Sequence, residues 1–403
     1  MKKNWKKVFY VFASLILLVM IAFLAASLIE SPAYTWRLIR YGESDINDHL
    51  IFPTREIENG SDVSEIPAMS GAVPSEVESL YKGEMRSEKL EEFLERTGTR
   101  AFLIIKDDAL IYEKYFNSSR DAINTSFSAA KSFNSALIGA AISDGYITSV
   151  EDKVIEYIPE IAGRGLDDLT IRDLLLMNSG VRYKERSELP FYNLLLADDA
   201  RTYYSTDMRK LAMSVKPDNT TIGEAFHYNN FYPLLEGLIL ERATGMHVAM
   251  YLQERFWKPM GAEYPASWSL DSESSGFEKM ESGINARALD FARFGLIFLH
   301  NGLWNGTQIL PEDWVAESTQ PLNLDTRDWG MQSFWPQIGG YYKYHWWGFD
   351  YGDGSYDFFA HGKFDQLIYI APRKNTVIVR LGDAPDNNVV WPIVLANLVD
   401  QLD

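Results

Sequence analysis

Apolar runs near both ends of the main body of the chain predict β-strands, and the stretch between them has helical periods. Residues 101–105 form an apolar strand, Asp107-Asp108 marks a turn, and residues 110–116 return as a second strand, which is the pattern of a β-hairpin. Later apolar runs predict four more strands, at residues 341–349, 356–360, 366–370 and 377–381. We therefore predict an α/β (α+β) fold, with one antiparallel sheet built from both ends, flanked by helices, and an all-helical lobe.

Apolar residues recur with helical spacing in several parts of the chain, and the first such segment begins near a serine. Phe133, Leu137 and Ala141 fall on one face of a helix that starts near Ser128 and ends at Gly145. Further amphipathic runs predict helices at residues 231–243, 247–257, 285–299 (capped by Asn285) and 391–402. The start of the first helix would favour negative charge, because backbone N–H groups there have no partner within the helix.

The N-terminal residues have the pattern of a membrane anchor. Lys2, Lys3, Lys6 and Lys7 precede residues 8–29, which carry no charge. As a helix this run is about 33 Å long, enough to cross a hydrocarbon core of about 30 Å. The lysines predict a cytoplasmic N-terminus and a single-pass protein whose catalytic domain is extracytoplasmic. The alternative is a cleaved signal peptide, which would release a secreted protein.

The pattern along the chain divides it into an anchor, a connector and a catalytic domain. Residues 30–85 are rich in proline and polar side chains, so we predict a connector there. The predicted parts are a cytoplasmic tail (1–7), a transmembrane anchor (8–29), an extracytoplasmic connector (30–85) and a domain (86–403) with a sheet lobe (about 86–145 and 285–403) and a helical lobe (about 146–284). A ligand site is expected in the cleft between the two lobes.

Composition removes several classes of function. The 403 residues are 46% hydrophobic, enough for a large core, and the net charge of −18 argues against a nucleic-acid partner. The chain has no cysteine, which excludes disulfides, zinc–thiolate sites and a cysteine nucleophile. Its six histidines have no metal-binding spacing. We therefore expect no metal and no cofactor.

The candidate nucleophile is Ser128, which stands three residues before Lys131. This spacing brings a hydroxyl and an amine to one face of a helix, and burial favours the neutral amine that can accept the serine proton. About one Ser-x-x-Lys is expected by chance in a chain of this size. The chain also contains Ser79 with Lys82, which lies in the predicted connector and has no apolar helix after it. We therefore favour Ser128 and Lys131.

A second proton-handling group is expected, because deacylation must activate water. Tyr228 with Asn230 is the candidate, at a strand-to-helix junction one hundred residues after Ser128. A phenol beside an ammonium is pushed towards phenolate and can act as a base. The same Tyr-x-Asn pattern occurs at Tyr115, which ends a hairpin strand, and a tyrosine at either place can instead be a core residue.

The third candidate element is Ala360-His361-Gly362-Lys363, at the start of a late strand. Glycine at position 362 allows close approach of a substrate backbone, and the N–H of Lys363 can complete an oxyanion hole with that of Ser128. His361 is a possible base in a serine–histidine–acid arrangement. The chain has no G-x-S-x-G motif, which argues against an α/β-hydrolase version of that arrangement.

Taken in this order, the elements resemble the penicillin-recognising serine hydrolases. The resemblance covers about residues 86–403 and is nearest to the group of class C β-lactamases, D-Ala-D-Ala carboxypeptidases and 6-aminohexanoate-dimer hydrolases. Four further segments carry it, at residues 169–180, 288–295, 302–306 and 344–347. The resemblance implies an acyl-enzyme mechanism with Ser128 as nucleophile, Lys131 as its activator, Tyr228 as general acid/base and Asn230 as a substrate contact.

Two departures from the family pattern bear on the substrate. The β-lactamases of the family carry Lys-Thr-Gly where this chain has Ala360-His361-Gly362, and Asp365 stands where relatives often have glycine.

From all these features together, we predict an extracytoplasmic, membrane-anchored serine hydrolase that cleaves a small-molecule or peptide ester or amide. The alternative is a non-catalytic or slowly deacylating binder or sensor of cell-wall peptides or β-lactams. The substrate and the oligomeric state stay open.

Overall fold

Seven antiparallel strands form the main sheet of the computed structural model, which describes residues 2–28, 30–81, 84–190, 196–322, 325–384 and 389–402. Their order is β11 (Gly340–Lys343), β12 (Trp346–Asp350), β13 (Tyr356–Gly362), β14 (Gln366–Ala371), β15 (Thr376–Gly382), β4 (Thr99–Lys106) and β5 (Ala109–Tyr115). The early hairpin joins the late strands where β4 pairs with β15. The predicted fold class is therefore confirmed, and both ends of the domain build one sheet.

Helices cover the main sheet and form most of the middle of the chain. In chain order they are α1 (Lys2–Ser27), α2 (Pro32–Tyr41), α3 (Leu90–Arg96), α4 (Ala130–Ser143), α5 (Val154–Tyr157), α6 (Ile171–Leu175), α7 (Asp198–Tyr204), α8 (Met208–Ala212), α9 (Phe231–Thr244), α10 (Val248–Leu252), α11 (Ala288–Leu299), α12 (Glu312–Thr319), α13 (Phe334–Gln337) and α14 (Trp391–Asp400). The entirely buried helix α11 packs on β14, β15 and β4. The central helix α4 packs against α9 on one side and β13 on the other.

Three smaller sheets complete the described structure. A four-stranded sheet has the order β1 (Thr54–Ile57), β7 (Ala266–Ser269), β8 (Ile284–Ala286) and β6 (Asn124–Thr125). Two hairpins pair β2 (Glu76–Tyr81) with β3 (Glu84–Lys89) and β9 (Leu303–Trp304) with β10 (Thr307–Gln308). Strand β1 and helix α2 lie in the segment that the sequence predicts to be a connector, and both contact later parts of the chain.

Two local predictions were wrong for backbone reasons. The run 341–349 is not one strand but β11 and β12, because Tyr344 and His345 take positive φ angles of 44° and 65° and form the turn between them. Asn285 does not cap α11, because it lies in strand β8, and Arg287 stands at the start of the helix. Bulky side chains seldom adopt positive φ, so the sequence carries no signal for this turn.

The predicted membrane anchor was also wrong. Helix α1 begins at Lys2, so the lysines that were assigned to a separate tail belong to the helix. In the part of the chain that the structure describes, no helix combines the length and apolar character needed to cross a membrane. The placement of the catalytic domain outside the cytoplasm rested on that anchor and has no support in the structure. Met1 of the predicted tail and Ile29 of the predicted anchor lie outside the described residues.

Candidate active site

Ser128 lies in a single 3-10 turn, Phe127–Ala129, directly before helix α4. The preceding residue, Phe127, has a φ of 45°, a conformation that side chains seldom adopt. Such backbone strain persists only where the surrounding structure imposes it, and it is found most often at functional sites. The turn leaves Ser128 partly accessible, while its neighbours Phe127 and Ala129 are buried.

Lys131 is buried beside Ser128 and contacts it directly. Its ammonium nitrogen Nζ donates to Ser128 Oγ at 2.9 Å and to the backbone carbonyl of Glu281 at 3.0 Å. The side chain is 1% exposed, and its Nζ lies 4.9 Å from the centre of the Tyr228 ring. Both acceptors are uncharged, and no ion pair to Lys131 is formed among the described residues. This arrangement suits an amine that exchanges a proton with the hydroxyl.

The carbonyl that holds Lys131 belongs to a segment fixed by a buried ion pair. Lys279 Nζ lies 3.0 Å from Glu281 Oε1, and both side chains are almost fully buried. The same Nζ donates to the backbone carbonyl of Tyr203 and lies over the rings of Tyr203 and Phe52. Burial lowers the pKa of Lys279, and the adjacent Glu281 carboxylate opposes that shift. Glu281 was not among the residues predicted from the sequence.

Tyr228 and Asn230 stand immediately before helix α9, as the sequence predicts. The Tyr228 ring packs at 6.1 Å from the Trp347 ring and at 6.3 Å, edge on, from the Tyr342 ring. Asn230 Nδ2 donates to the hydroxyl of Tyr183 at 2.9 Å, and its Oδ1 has no hydrogen-bond partner among the described residues. The tyrosine and the lysine are therefore neighbours, and the asparagine keeps one free acceptor.

Behind Tyr228 lies a buried network that the sequence did not indicate. The Tyr342 hydroxyl is 2.8 Å from His345 Nδ1, and His345 Nε2 is 2.7 Å from Glu236 Oε1. Burial raises the pKa of Tyr342 well above its usual value, and the nearby Tyr228 and Glu236 raise it further. The backbone carbonyl of His345 also accepts a hydrogen bond from Ser132. The network links α4, α9 and the turn between β11 and β12.

Gly362, the last residue of β13, lies against the turn that carries Ser128. A Cβ atom at this position would meet Ser126 O at 2.3 Å and Ala129 N at 3.1 Å, closer than packed atoms allow. Only glycine therefore lets β13 approach this turn so closely. The contact brings the backbone of Gly362 and Lys363 beside the backbone of Ser128, where an oxyanion hole was predicted.

His361, near the end of β13, pairs with Asp365 in the hairpin turn that follows this strand. His361 Nε2 is 2.9 Å from Asp365 Oδ1, and both side chains are partly exposed. The turn itself is Lys363–Asp365, in which Phe364 and Asp365 have positive φ angles. Asp365 and His361, the two residues that depart from the family pattern, are therefore partners in this chain. His361 stands at the position of the threonine in Lys-Thr-Gly.

A cavity of about 410 Å³ joins these residues. Its wall is formed by Ser128, Tyr228, Gln332, Trp347, His361, Gly362, Lys363, Phe364, Asp365 and Val389. A more apolar cavity of about 280 Å³ shares Gln332, Trp347, His361, Asp365 and Val389 with it and continues towards Trp335 and Trp391. The structure therefore brings the predicted serine, tyrosine, histidine and glycine to one cleft that a small molecule can enter.

Two other candidate sites do not have this geometry. Ser79 lies in β2 with its hydroxyl buried and without a partner among the described residues, and Lys82 lies outside them. Elsewhere, Glu241, His247 and Glu278 have ligand atoms within 4.8 Å of one another. Their carboxylates already pair with arginines, Glu241 with Arg209 and Glu278 with Arg55, so a cation would have to displace those partners.

Comparisons with known proteins identify relatives of this chain. A family model described as Beta-lactamase matches residues 87–395. The 6-aminohexanoate-dimer hydrolase of Paenarthrobacter ureafaciens is 27% identical over 368 residues, which cover 89% of this chain and 87% of that protein. A solved structure from Bacillus anthracis, provisionally assigned as a 6-aminohexanoate-dimer hydrolase, is 25% identical, has a TM-score of 0.72 and covers 89% of this chain and 92% of its own. A class C beta-lactamase, 13% identical, shares the fold with a TM-score of 0.57, covering 78% of this chain and 94% of its own.

Proposed function

This chain belongs to the beta-lactamase family and is a serine hydrolase, and we propose that it cleaves an ester or amide bond through an acyl-enzyme formed on Ser128. One observation carries the proposal. Lys131 Nζ lies 2.9 Å from the hydroxyl oxygen of a partly accessible serine in the wall of a 410 Å³ cavity. An amine at that distance can remove the serine proton as the hydroxyl attacks a carbonyl carbon.

Lys131 is proposed to act as the base for the attack. Its contacts are the Ser128 hydroxyl and the Glu281 carbonyl, neither of which carries a charge that would hold the proton on the amine. The neutral amine accepts the proton from Ser128, and the resulting ammonium stays hydrogen bonded to the Glu281 carbonyl.

Tyr228 is proposed to carry the proton to and from the departing group. The centre of its ring lies 4.9 Å from Lys131 Nζ, and Tyr228 lines the cavity that contains Ser128, so the phenol is a neighbour of both groups. In acylation, the phenol protonates the leaving nitrogen or oxygen as the carbonyl–heteroatom bond breaks. In deacylation, the phenolate takes a proton from water as the water oxygen attacks the acyl carbon. The Lys131 ammonium then returns its proton to the departing Ser128 oxygen, which releases the acid and free Ser128.

The oxyanion is proposed to bind backbone N–H groups of Ser128 and Lys363. The approach of Gly362 to Ser126 and Ala129 supports this assignment, because it brings the two backbone segments together. Donors fixed in this way stabilise a negative charge that appears only in the transition state. Asn230 Oδ1 and His361 are proposed as contacts to the rest of the substrate, since Asn230 and His361 line the cavities that reach Ser128.

A linear amide is the proposed substrate class. The curated relative is a 6-aminohexanoate-dimer hydrolase, whose substrate has an unstrained amide bond between two short chains. At the position of the β-lactamase Lys-Thr-Gly, this chain has Ala360-His361-Gly362, and the departure removes the lysine that binds the drug carboxylate in those enzymes. The aromatic continuation of the cleft towards Trp335 fits an apolar part of such a substrate.

Covalent labelling with turnover tests this function. A fluorophosphonate probe is expected to label the wild-type protein, and Ser128→Ala is expected to abolish labelling while the protein stays folded. The wild type should also hydrolyse short p-nitrophenyl esters and p-nitroanilides with repeated turnover. Labelling with one equivalent of product and no turnover would favour the binder or sensor instead, and absence of labelling would refute a serine acyl-enzyme altogether.

A further inference from the structure

A second cavity, of about 190 Å³, reaches Ser128 from another side. It is lined by Glu43, Ser44, Phe127, Ser128, Arg186, Asp199, Ala200, Tyr203, Tyr204, Asn230, Glu281, Ser282 and Lys363. Glu43 and Ser44 belong to the segment between α2 and the 3-10 turn Asp48–Leu50, outside the residues 87–395 that match the family. One wall of this cavity is therefore supplied by a part of the chain that the family domain does not include.

Several hydrogen bonds hold this wall in place. Lys363 Nζ donates to Ser44 Oγ at 2.8 Å and to the Ser44 carbonyl at 3.1 Å. Arg186 binds the Glu43 carboxylate through both terminal nitrogens, at 2.6 and 3.3 Å. The Tyr204 hydroxyl donates to the carbonyl of Gly42 at 3.0 Å. The wall is thus connected to the strand end that carries the proposed oxyanion donor.

Glu43 also neutralises the positive charge around the cavity. Its carboxylate pairs with Arg186 and lies 3.6 Å from Lys363 Nζ. Arg186 is further paired with Asp199 through Nε at 2.7 Å. Arg186 and Lys363 are the basic side chains in the cavity wall, and both already have acidic partners. An entering carboxylate would find each cation occupied.

Two residues of the cavity wall, Glu281 and Asn230, each carry a buried acceptor atom without a hydrogen-bond partner among the described residues. The two atoms are Glu281 Oε2 and Asn230 Oδ1. Glu281 Oε1 is bound by Lys279 and Ser282, so the second oxygen of the same carboxylate is the free one. Buried acceptors without partners are costly, and a ligand that donates hydrogen bonds removes that cost.

We propose that this cavity is a subsite for a small group that donates N–H hydrogen bonds, such as a primary amide or an amine, and that Glu43 makes it exclude carboxylates. The proposal rests on the acyl-transfer function above. The free acceptors attract a donor, the volume limits its size, and the two neutralised cations offer no binding energy to an anion. Glu43 is thus a specificity-determining residue that lies outside the family domain.

Matched pairs of substrates test the proposal, where one member carries a primary amide and the other carries a carboxylate at the same position. One pair places the difference in the acyl part, with the p-nitroanilides of succinamic acid and of succinic acid. A second pair places it in the leaving part, with N-butanoylglycinamide and N-butanoylglycine. In the wild type, we expect kcat/KM to be at least about tenfold higher for the amide member of at least one pair. Equal rates, or faster carboxylates, in both pairs would overturn the proposal.

The variant Glu43→Gln tests the residue itself. Its side chain is 70% exposed, so the change is expected to leave the fold intact. The substitution removes the negative charge beside Lys363 and Arg186, and we expect the amide-over-carboxylate ratio to fall at least about fivefold. An unchanged ratio would overturn the role of Glu43. The ratio is taken within each variant, so any effect that both substrates share cancels.

The control is Glu160→Gln, which changes another exposed carboxylate bound by both terminal nitrogens of an arginine, Arg242. Glu160 lines neither of the two described cavities that reach Ser128, so its substitution should leave the ratio unchanged.

Fluorophosphonate labelling distinguishes failure of this subsite proposal from failure of the proposed acyl-transfer function. A protein that labels and turns over neutral substrates without preference refutes the subsite alone, whereas a protein that does not label refutes both.

Discussion

Lys131 Nζ donates a hydrogen bond of 2.9 Å to Ser128 Oγ, and its other acceptor is the backbone carbonyl of Glu281 rather than a carboxylate. Lys131 is 1% exposed as a whole residue, so water does not replace these contacts. A buried lysine with uncharged partners can cycle between ammonium and amine, which a lysine in a salt bridge does not readily do. This single relationship separates the site from an ordinary solvated Ser-x-x-Lys.

Lys131→Ala should remove most activity without unfolding the protein. Loss of the base is expected to lower kcat/KM for a p-nitrophenyl ester by about 10² to 10⁴, the usual contribution of a positioned proton acceptor. The rate of fluorophosphonate labelling should fall with it, because the serine is no longer activated. The control Lys153→Ala removes an exposed lysine that pairs with Asp168 and should leave both rates unchanged. Normal labelling of Lys131→Ala would remove this residue from the mechanism.

Tyr228→Phe should affect turnover more than acylation by an activated ester. A p-nitrophenolate leaves without needing a proton, so the burst of product is expected to persist, while the steady-state rate falls by about 10² or more. Pre-steady-state absorbance measurements separate the two phases. The control is Tyr115→Phe, which belongs to the other Tyr-x-Asn sequence and whose hydroxyl binds Glu113 instead. Equal losses in burst and steady state would assign Tyr228 to acylation or to packing.

Much of the fold follows from local sequence patterns. The hairpin of β4 and β5 forms where apolar runs flank Asp107-Asp108, and both aspartates take the positive φ that such a turn requires. Thr170 and Asp173 form a capping box at the start of α6. These elements depend on residues that are close in sequence, so period and turn chemistry are sufficient to predict them.

The parts that sequence did not predict depend on distant contacts. Glu281 and Lys131 meet across 150 positions, and Ser44 meets Lys363 across 319. Nothing in a polar, proline-rich stretch distinguishes a connector from the wall of a cavity, because the distinction arises only when Arg186 and Lys363 fold against it. The turn at Tyr344 and His345 was missed for a related reason, since distant contacts rather than local preference hold it. The backbone N–H of His345 donates to the carbonyl of Leu175, and its carbonyl accepts a hydrogen bond from Ser132.

Gly362→Ala should disrupt the site through backbone contact alone. The added methyl group would meet the carbonyl oxygen of Ser126 at 2.3 Å, so β13 or the turn that carries Ser128 must move. We expect kcat to fall by about 10² or more, the usual loss when an oxyanion donor is displaced, and stability to fall by about 1–3 kcal/mol. Esterase assays and urea unfolding measure the two effects. Wild-type activity in this variant would show that the close approach has no part in catalysis.

Alkaline pH should destabilise the protein through its buried tyrosines, and Tyr112 isolates one contribution. Burial, with a smaller effect from Glu91, raises the pKa of Tyr112 to about 12, and its hydroxyl has no hydrogen-bond partner among the described residues. The pKa of this phenol is higher in the folded state than its value of about 10 in the unfolded state. Its contribution to the stability of the folded state is therefore complete below about pH 10 and is lost as the pH rises from about 10 to 12.

The variant Tyr112→Phe removes an unpaired hydroxyl, so its stability at pH 8 should equal that of the wild type or exceed it by up to about 1 kcal/mol. The advantage of the phenylalanine should grow between pH 10 and 12 in urea unfolding, whereas the control Tyr146→Phe, at a ring that is 44% exposed, should show no such growth. A constant difference across this range would contradict the assignment.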